Sequence, residues 1–321
     1  MRATRRLITS IDDFDDPVIT AQMRPMVLPT DTVRAELISA QLPRVFLTMG
    51  DVSFAVVTRG TSLADRIAVA LLRTDMPSAT MNGERISRGV AHVFGSSTEV
   101  VATAGPGQFA TISFDPAELE RTASEFGLQI ELPRPGESST VHIDEPRLVK
   151  LLSIVAESVR TTGRPAANDA DASCISRSLV EMAVRSLAGD ARPASVTARA
   201  HNNSVRIVRA CERYAAEMSY QSVTLADLCR VADASERRVR RAFYECYNMS
   251  PTAFLRIAAL NEVRHALLEG HPARDAVSRS ASEFGFWHLS RFAGQYRALF
   301  GETPSTTVAR ESESRVEEAG A

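Results

Sequence analysis

The stretch Gly285–Ser305, GFWHLSRFAGQYRALFGETPS, holds the chain's only tryptophan together with three phenylalanines, a tyrosine and two arginines. Read at about 100° per residue, it places Phe292, Tyr296 and Leu299 on one helical face, and Phe300 continues that face into a closing turn at Gly301. Ser290, Gly294 and Arg297 then face outward, with Arg291 at one edge. Most of the aromatic density is therefore core. Trp287 and His288, at the start of the helix, divide between packing or capping and contact with a polyanion.

Working upstream, the same pattern occurs a second time. Val239, Phe243, Tyr247 and Pro251 recur 53 residues later as Phe292, Tyr296, Phe300 and Pro304, while Leu225, Cys229 and Ala232 recur 52 residues later as Val277, Ala281 and Phe284. An internal repeat of this kind means two copies of one supersecondary unit whose turns differ by one residue. In the first copy Thr224 and Ser235 are placed to cap two short helices, and Asp233 sits at the turn between them, where aspartate tolerates a left-handed backbone. Two short helices, a tight turn and a capped second helix describe a helix-turn-helix.

The second helix of that copy carries the chemistry. With Val239, Ala242, Phe243 and Cys246 inward, Arg237, Arg241 and Tyr244 point outward, flanked by Arg238 and Arg240. A guanidinium fork can take guanine O6 and N7 together in the major groove, or hold a phosphate. A solvated helix face is the competing reading of any charge run, but here only Glu236 and Glu245 offset four arginines. Double-stranded DNA is the expected partner. The expected contacts are Arg237, Arg238, Arg240, Arg241 and Tyr244 from the first unit, and Trp287, His288, Ser290, Arg291 and Arg297 from the second.

These residues, LADLCRVADASERRVRRAF with the MSP after it and GFWHLSRFAGQYRALFGETPS, resemble the DNA-binding domain of the AraC/XylS family of transcriptional regulators. The resemblance covers about a third of the chain. It implies seven helices and two reading helices in successive major grooves of DNA; a role in transcription, with activator as the working expectation although activation and repression stay open, and RNA polymerase as a further partner, go with it. The sequence departs from the family pattern at Gly294, where a polar or basic residue is usual, at Ser280, where an apolar one is, and at Asp233, where glycine is. Loss of a side chain at Gly294 thins base readout by the second unit, so specificity is expected chiefly from Arg237 to Arg241.

The rest of the chain is read more coarsely. Residues 30–115 hold short alternating or apolar runs such as VFLTM, RIAVALL and FATISF between turn-prone stretches, which argues a β-barrel or sandwich. Residues 116–187 read as helical, with Leu148, Leu151, Leu152, Val155 and Val159 on one stripe and Ile175, Leu179, Met182 and Val184 on another. The fold class expected is α+β in two domains: an N-terminal cupin-like barrel or sandwich with flanking helices, fainter in its resemblance to the family's sensing domains, and a C-terminal all-α domain. The expected boundaries are a sensing and dimerisation domain over 1–187, a small-residue linker over 188–204, the DNA-binding domain over 205–310, and an acidic tail over 311–321.

Charge supports that division. The net charge of −2 hides a local +4 over residues 204–310 and −3 over the tail. A positive module in a weakly acidic protein suggests a polyanion partner. With 44% hydrophobic and 24% charged residues, the chain is an ordinary globular one. No run of about 18 apolar residues occurs, and the N-terminus turns acidic where a secretion signal would be apolar, so a cytoplasmic protein without a membrane partner is expected. Cys174, Cys211, Cys229 and Cys246 lack CxxC spacing and read as buried free thiols.

An enzyme reading is weighed and set aside. The six histidines include no HxH pair, only His92 lies in the strand region, and Glu84, Glu99 and Asp115 read as surface or turn residues. No phosphate-binding loop, dinucleotide fingerprint or serine elbow occurs. No catalytic residue, metal or cofactor is expected. The leading expectation is a sequence-specific regulator responsive to a small-molecule effector in the N-terminal domain, the effector unidentified, and working as a homodimer; each helical stripe is read either as core or, for one of them, as a pairing surface between protomers. The alternatives are a DNA-binding module fused to a barrel enzyme, and a ligand-independent regulator whose first domain only dimerises or docks a partner protein.

Overall fold

The computed structural model describes residues 2–9, 21–28, 33–76, 79–190, 196–218, 220–269 and 275–310. The chain divides into two compact units, Met1–Pro25 with Val33–Asn202, and Met26–Thr32 with Asn203–Ala321.

The first unit is β-rich. Its strands are β1 (Arg2–Ile8), β2 (Ala21–Val27), β3 (Ala35–Leu42), β4 (Val45–Val52), β5 (Val56–Ser62), β6 (Ile67–Leu72), β7 (Thr80–Met81), β8 (Glu84–Arg85), β9 (Val90–Phe94), β10 (Glu99–Ala104) and β11 (Gly107–Phe114). Helix α1 (Pro116–Glu125), strand β12 (Ser138–His142), and helices α2 (Glu145–Thr162) and α3 (Asp169–Asp190) follow. Seven strands form one antiparallel sheet in the order β1-β3-β4-β11-β6-β9-β12, and five form another in the order β2-β5-β10-β7-β8. Strand structure therefore begins at Arg2 and not near residue 30. The alternation in RATRRLI was hidden because β1 is an edge strand, whose arginines can stay in water on either face. Strand β12 likewise lies within the region read as helical, because SSTVH pairs with β9 from Ser138↔Phe94 to His142↔Val90.

One face of the seven-stranded sheet packs on the helices. Ile38, Leu47, Val69, Val93 and Ile112 share a buried cluster with Leu119 of α1, with Leu148, Leu152, Val155 and Val159 of α2, and with Leu179 and Val184 of α3. Period-2 and period-3.6 stripes meet there. This corrects the suggestion that one helical stripe pairs between protomers: the core of a single chain buries both, with Leu151, Ile175 and Met182 packed at its margin. Asp115, expected as a turn residue, caps α1 by accepting from the Ala117 amide.

The second unit is helical: α4 (Val196–Glu217) from Asn203 on, a 3-10 turn at Tyr220–Ser222, α5 (Leu225–Ala232), α6 (Glu236–Tyr247), α7 (Pro251–Glu269), α8 (Ala276–Glu283) and α9 (Leu289–Phe300), with residues 304–310 helical after it. Helix ends lie within the stretch expected to be the linker. α3 runs to Asp190 and α4 starts at Val196, where Ala198, Arg199 and Ala200 are good helix formers. The acidic tail over 311–321 lies outside the described residues. Cys211 and Cys246 are buried, and burial pushes both thiols up to about 12, so neither is a thiolate at neutral pH. Cys174 is exposed, contrary to expectation, because it lies on the outward side of α3 while its neighbour Ile175 turns toward the core.

Candidate nucleic-acid interface

Helices α5 and α6 form one pair, and α8 and α9 another. Their turns correspond residue by residue at a spacing of 52. Asp233 and Gly285 both adopt a left-handed backbone, at φ 48° and 84°. The amides that close the turns match as well: Ala234 N–H donates to Cys229 O at 3.1 Å, and Phe286 N–H to Ala281 O at 2.8 Å. This satisfies the orphan carbonyls at the end of the first helix of each pair. After the turn the first pair needs Ala234 and Ser235 to reach its second helix, while the second needs Phe286, Trp287 and His288. The change of spacing from 52 to 53 is that extra residue.

Each second helix is fixed by an aromatic core. Phe243, Tyr247 and Phe254 pack with ring centroids 4.5 to 5.9 Å apart. Phe286, Phe292, Tyr296 and Phe300 form the equivalent chain, at 4.5 to 5.7 Å. Both cores end in polar anchors. The Tyr247 hydroxyl donates to Glu212 on α4. The Tyr296 hydroxyl meets Arg264 at 3.2 Å and Thr307 at 2.9 Å, and the buried Arg264 guanidinium pairs with Glu302 at 2.8 Å. A buried charge needs such a partner. The inward assignments of Val239, Ala242, Phe243 and Cys246, and of Phe292, Tyr296, Leu299 and Phe300, agree with their burial.

Outward residues on α6 fall into two groups. Arg240 Nε donates to Glu236 at 2.8 Å, and Arg241 Nε to Glu245 at 2.6 Å; Glu245 also accepts from Ser204 of α4 at 2.7 Å. The hydrogen bond to Glu245 raises the pKa of Arg241 above its ordinary value. Arg237 and Arg238 are exposed and form no ion pair or hydrogen bond with the described residues, and Tyr244 is 65% exposed beside them. The i,i+4 carboxylates that occupy Arg240 and Arg241 were present in the sequence, as ERRVR and RAFYE, and that spacing could have flagged them.

On α9 the outward set is Ser290, Gly294 and Arg297, with Arg291 at the edge, all exposed. A side chain at Gly294 would meet open space, since nothing lies within 4 Å of a Cβ built there. Trp287 does not pack at the start of the helix; it is 77% exposed, because Phe286, one residue earlier, takes the buried position at 6%. His288 occupies the N-cap position without making a side-chain capping bond. Both flank a cleft of about 280 Å³ that Arg256, Arg291 and Gln295 also line. Arg256 and Gln295 were not anticipated: the repeat ranks positions within the pairs, whereas Arg256 projects from α7, between them.

Two helix pairs with matched left-handed turns, the first with an exposed arginine face, define the class of a helix-turn-helix module. Residues 228–310 match the family model of a helix-turn-helix domain. The chain is 33% identical over 99 residues to a probable thc operon regulatory protein of Rhodococcus erythropolis, covering 31% of this chain and 30% of that protein. It is 26% identical over 161 residues to a XylDLEGF operon transcriptional activator of Pseudomonas putida, covering 50% and 47%. The alignments thus span less than half the length of these relatives. Among solved structures, the AraC-like transcriptional activator CuxR aligns over 87% of this chain and 98% of its own, at 14% identity and a TM-score of 0.41. The C-terminal residues form a helix-turn-helix domain of the AraC/XylS type.

Proposed function

We propose that the protein is a sequence-specific DNA-binding transcription regulator. Its C-terminal unit would carry two helix-turn-helix reading heads over residues 205–310. Its N-terminal unit, a cupin-like sandwich over 1–187, would sense a small molecule and hold two chains together as a homodimer. The observation that carries the reading is the pair of matched turns presenting two second helices on equivalent aromatic cores, the first of them with Arg237 and Arg238 unengaged. Arginine at such positions reads guanine or holds phosphate. The relatives named above are an operon regulatory protein and an operon transcriptional activator, which supports a role in activation; contact with RNA polymerase would go with that role. No helix among the described residues is long and apolar enough to cross a membrane.

Selection of bound DNA from a random library tests the reading. A defined site should emerge, and Arg237→Ala should weaken binding to it by more than to scrambled DNA. Recovery of unrelated sequences, with equal losses on both, would reduce the module to a phosphate binder. Affinity should fall linearly in log–log against salt, as counterion release requires.

A further inference from the structure

We infer that the second helix pair selects thymine, through apolar contact of Trp287 and Leu289 with C5-methyl groups in the major groove, an assignment that rests on the proposed DNA-binding function. Trp287 is 77% exposed and Leu289 45%, so two large apolar side chains stand in water at the N-terminal end of α9. That end of the second helix is the part of a helix-turn-helix that meets base edges. The core does not need Trp287. Phe286 is buried one residue before it and packs on Phe292 at 5.0 Å between ring centroids, while Phe292, Tyr296 and Leu299 fill the inward face of α9. The first pair is built differently here: Leu289 stands where α6 has Glu236, whose carboxylate holds Arg240 at 2.8 Å.

What surrounds these side chains decides what they can meet. Arg256, Arg291 and Gln295 line the cleft beside Trp287, so the apolar residues are edged by hydrogen-bond donors, two of them cationic. Such an edge suits a polyanion better than an apolar protein surface. In the major groove guanine, cytosine and adenine present only hydrogen-bonding groups, whereas thymine also carries a methyl group. The outward residues that follow on α9 offer little to compete with that contact. Ser290 has one short hydroxyl, Ala293 and Gly294 have no polar side chain, and Arg297 lies about 10 Å along the axis from Ser290. Nothing stands within 4 Å of a Cβ built on Gly294, so this bare face lets the base edges come close. Burying one methyl group against Trp287 or Leu289 corresponds to about threefold to tenfold in affinity.

Replacing each thymine of the selected site in turn by deoxyuridine tests this, because it removes the methyl group and keeps every base-pairing hydrogen bond. In equilibrium binding of the full chain at fixed salt, at least one replacement should weaken affinity about threefold to tenfold. It should lie outside the base pairs that Arg237→Ala ceases to discriminate. Trp287→Ala or Leu289→Gln should erase that penalty by weakening the thymine site alone, and Arg237→Ala should leave it intact. If Leu289→Gln does not melt cooperatively, Trp287→Ala, at the more exposed position, carries the comparison. Trp287 is the chain's only tryptophan, so acrylamide quenching of its fluorescence reads the same contact. Quenching should fall on binding the thymine site and fall less on the deoxyuridine site. A penalty that persists in both variants would mean that DNA shape is read instead, and quenching unchanged by DNA would leave the apolar pair to a protein partner; each overturns the assignment. A defined site that lacks thymine there, or tolerates deoxyuridine throughout, overturns this assignment alone. Recovery of no defined site overturns the regulator reading and this assignment with it.

Discussion

The two helix pairs share a backbone and differ in almost everything they present outward. Where α6 carries Arg237, Arg238, Arg240, Arg241 and Tyr244, the equivalent positions of α9 hold Ser290, Arg291, Ala293, Gly294 and Arg297. Only the Arg238–Arg291 position is arginine in both. The first pair opens with a capping box, Thr224 exchanging hydrogen bonds with Asp227, whereas Asp275 at the start of α8 makes no capping bond. The second pair instead spends its polar groups inward, on the Arg264, Tyr296, Thr307 and Glu302 network. Equal cores with unequal surfaces teach that the residues that build a helix pair and those it presents outward vary independently here. A common arginine suits a phosphate, which fixes register, while the unengaged Arg237 suits a base edge.

The largest expected effect tests whether the cores are in fact equal. Phe243→Ala and Tyr296→Ala should each cost about 3 to 5 kcal/mol in urea unfolding, as truncation of a fully buried aromatic does. Tyr296→Ala should fall at the upper end because it also strips a partner from Arg264. A loss under about 1 kcal/mol for either would mean that its pair is not a packed unit.

Next in size is the outward chemistry. Arg237→Ala should cost about 1 to 3 kcal/mol on the selected site, measured by equilibrium binding at fixed salt. Ser290→Ala, at the equivalent position, should change affinity by less than about 0.5 kcal/mol. Equal losses would collapse the distinction between the pairs. The caps give a smaller test. Thr224→Ala should destabilise by about 1 kcal/mol, and Asp275→Ala by much less, since only the first loses a capping bond.

The smallest expected effect has the opposite sign. Gly294→Ala should stabilise the protein by about 0.5 to 1 kcal/mol, because helix-interior glycine is costly and the site is open. If the substitution instead weakens DNA binding, the bare backbone at Gly294 is itself a contact surface, and the second pair reads DNA by close approach.

Much of the C-terminal unit is legible in the sequence because it is local. Helical period, a left-handed turn residue and a cap act within a few residues, so the two copies of the repeat align on residue types alone, including the one-residue difference at the turn. The sheet is less legible. β1 hides its alternation among edge arginines, and β12 lies inside a region that otherwise reads as helical. The stripes on α2 and α3 announce burial without saying against what, and the core of one chain claims both. At the candidate site, the arginine face of α6 is readable, but the assignment of Arg240 and Arg241 to neighbouring carboxylates needs rotamers as well as spacing. Trp287 cannot be placed from sequence, since which of two adjacent aromatics enters a core depends on the path of a turn lengthened by one residue.

By itself, then, the amino-acid sequence determined the two helix pairs, their inward faces and the excess of arginine on the first, because each follows from periodicity and turn chemistry within a short window. Only the tertiary structure decided which arginines stand unengaged, where Trp287 points, and that small side chains from two sheets leave a cavity between them. Those outcomes depend on contacts between residues far apart in sequence, such as Ser204 with Glu245 and Ala70 with Thr111, which no local pattern encodes.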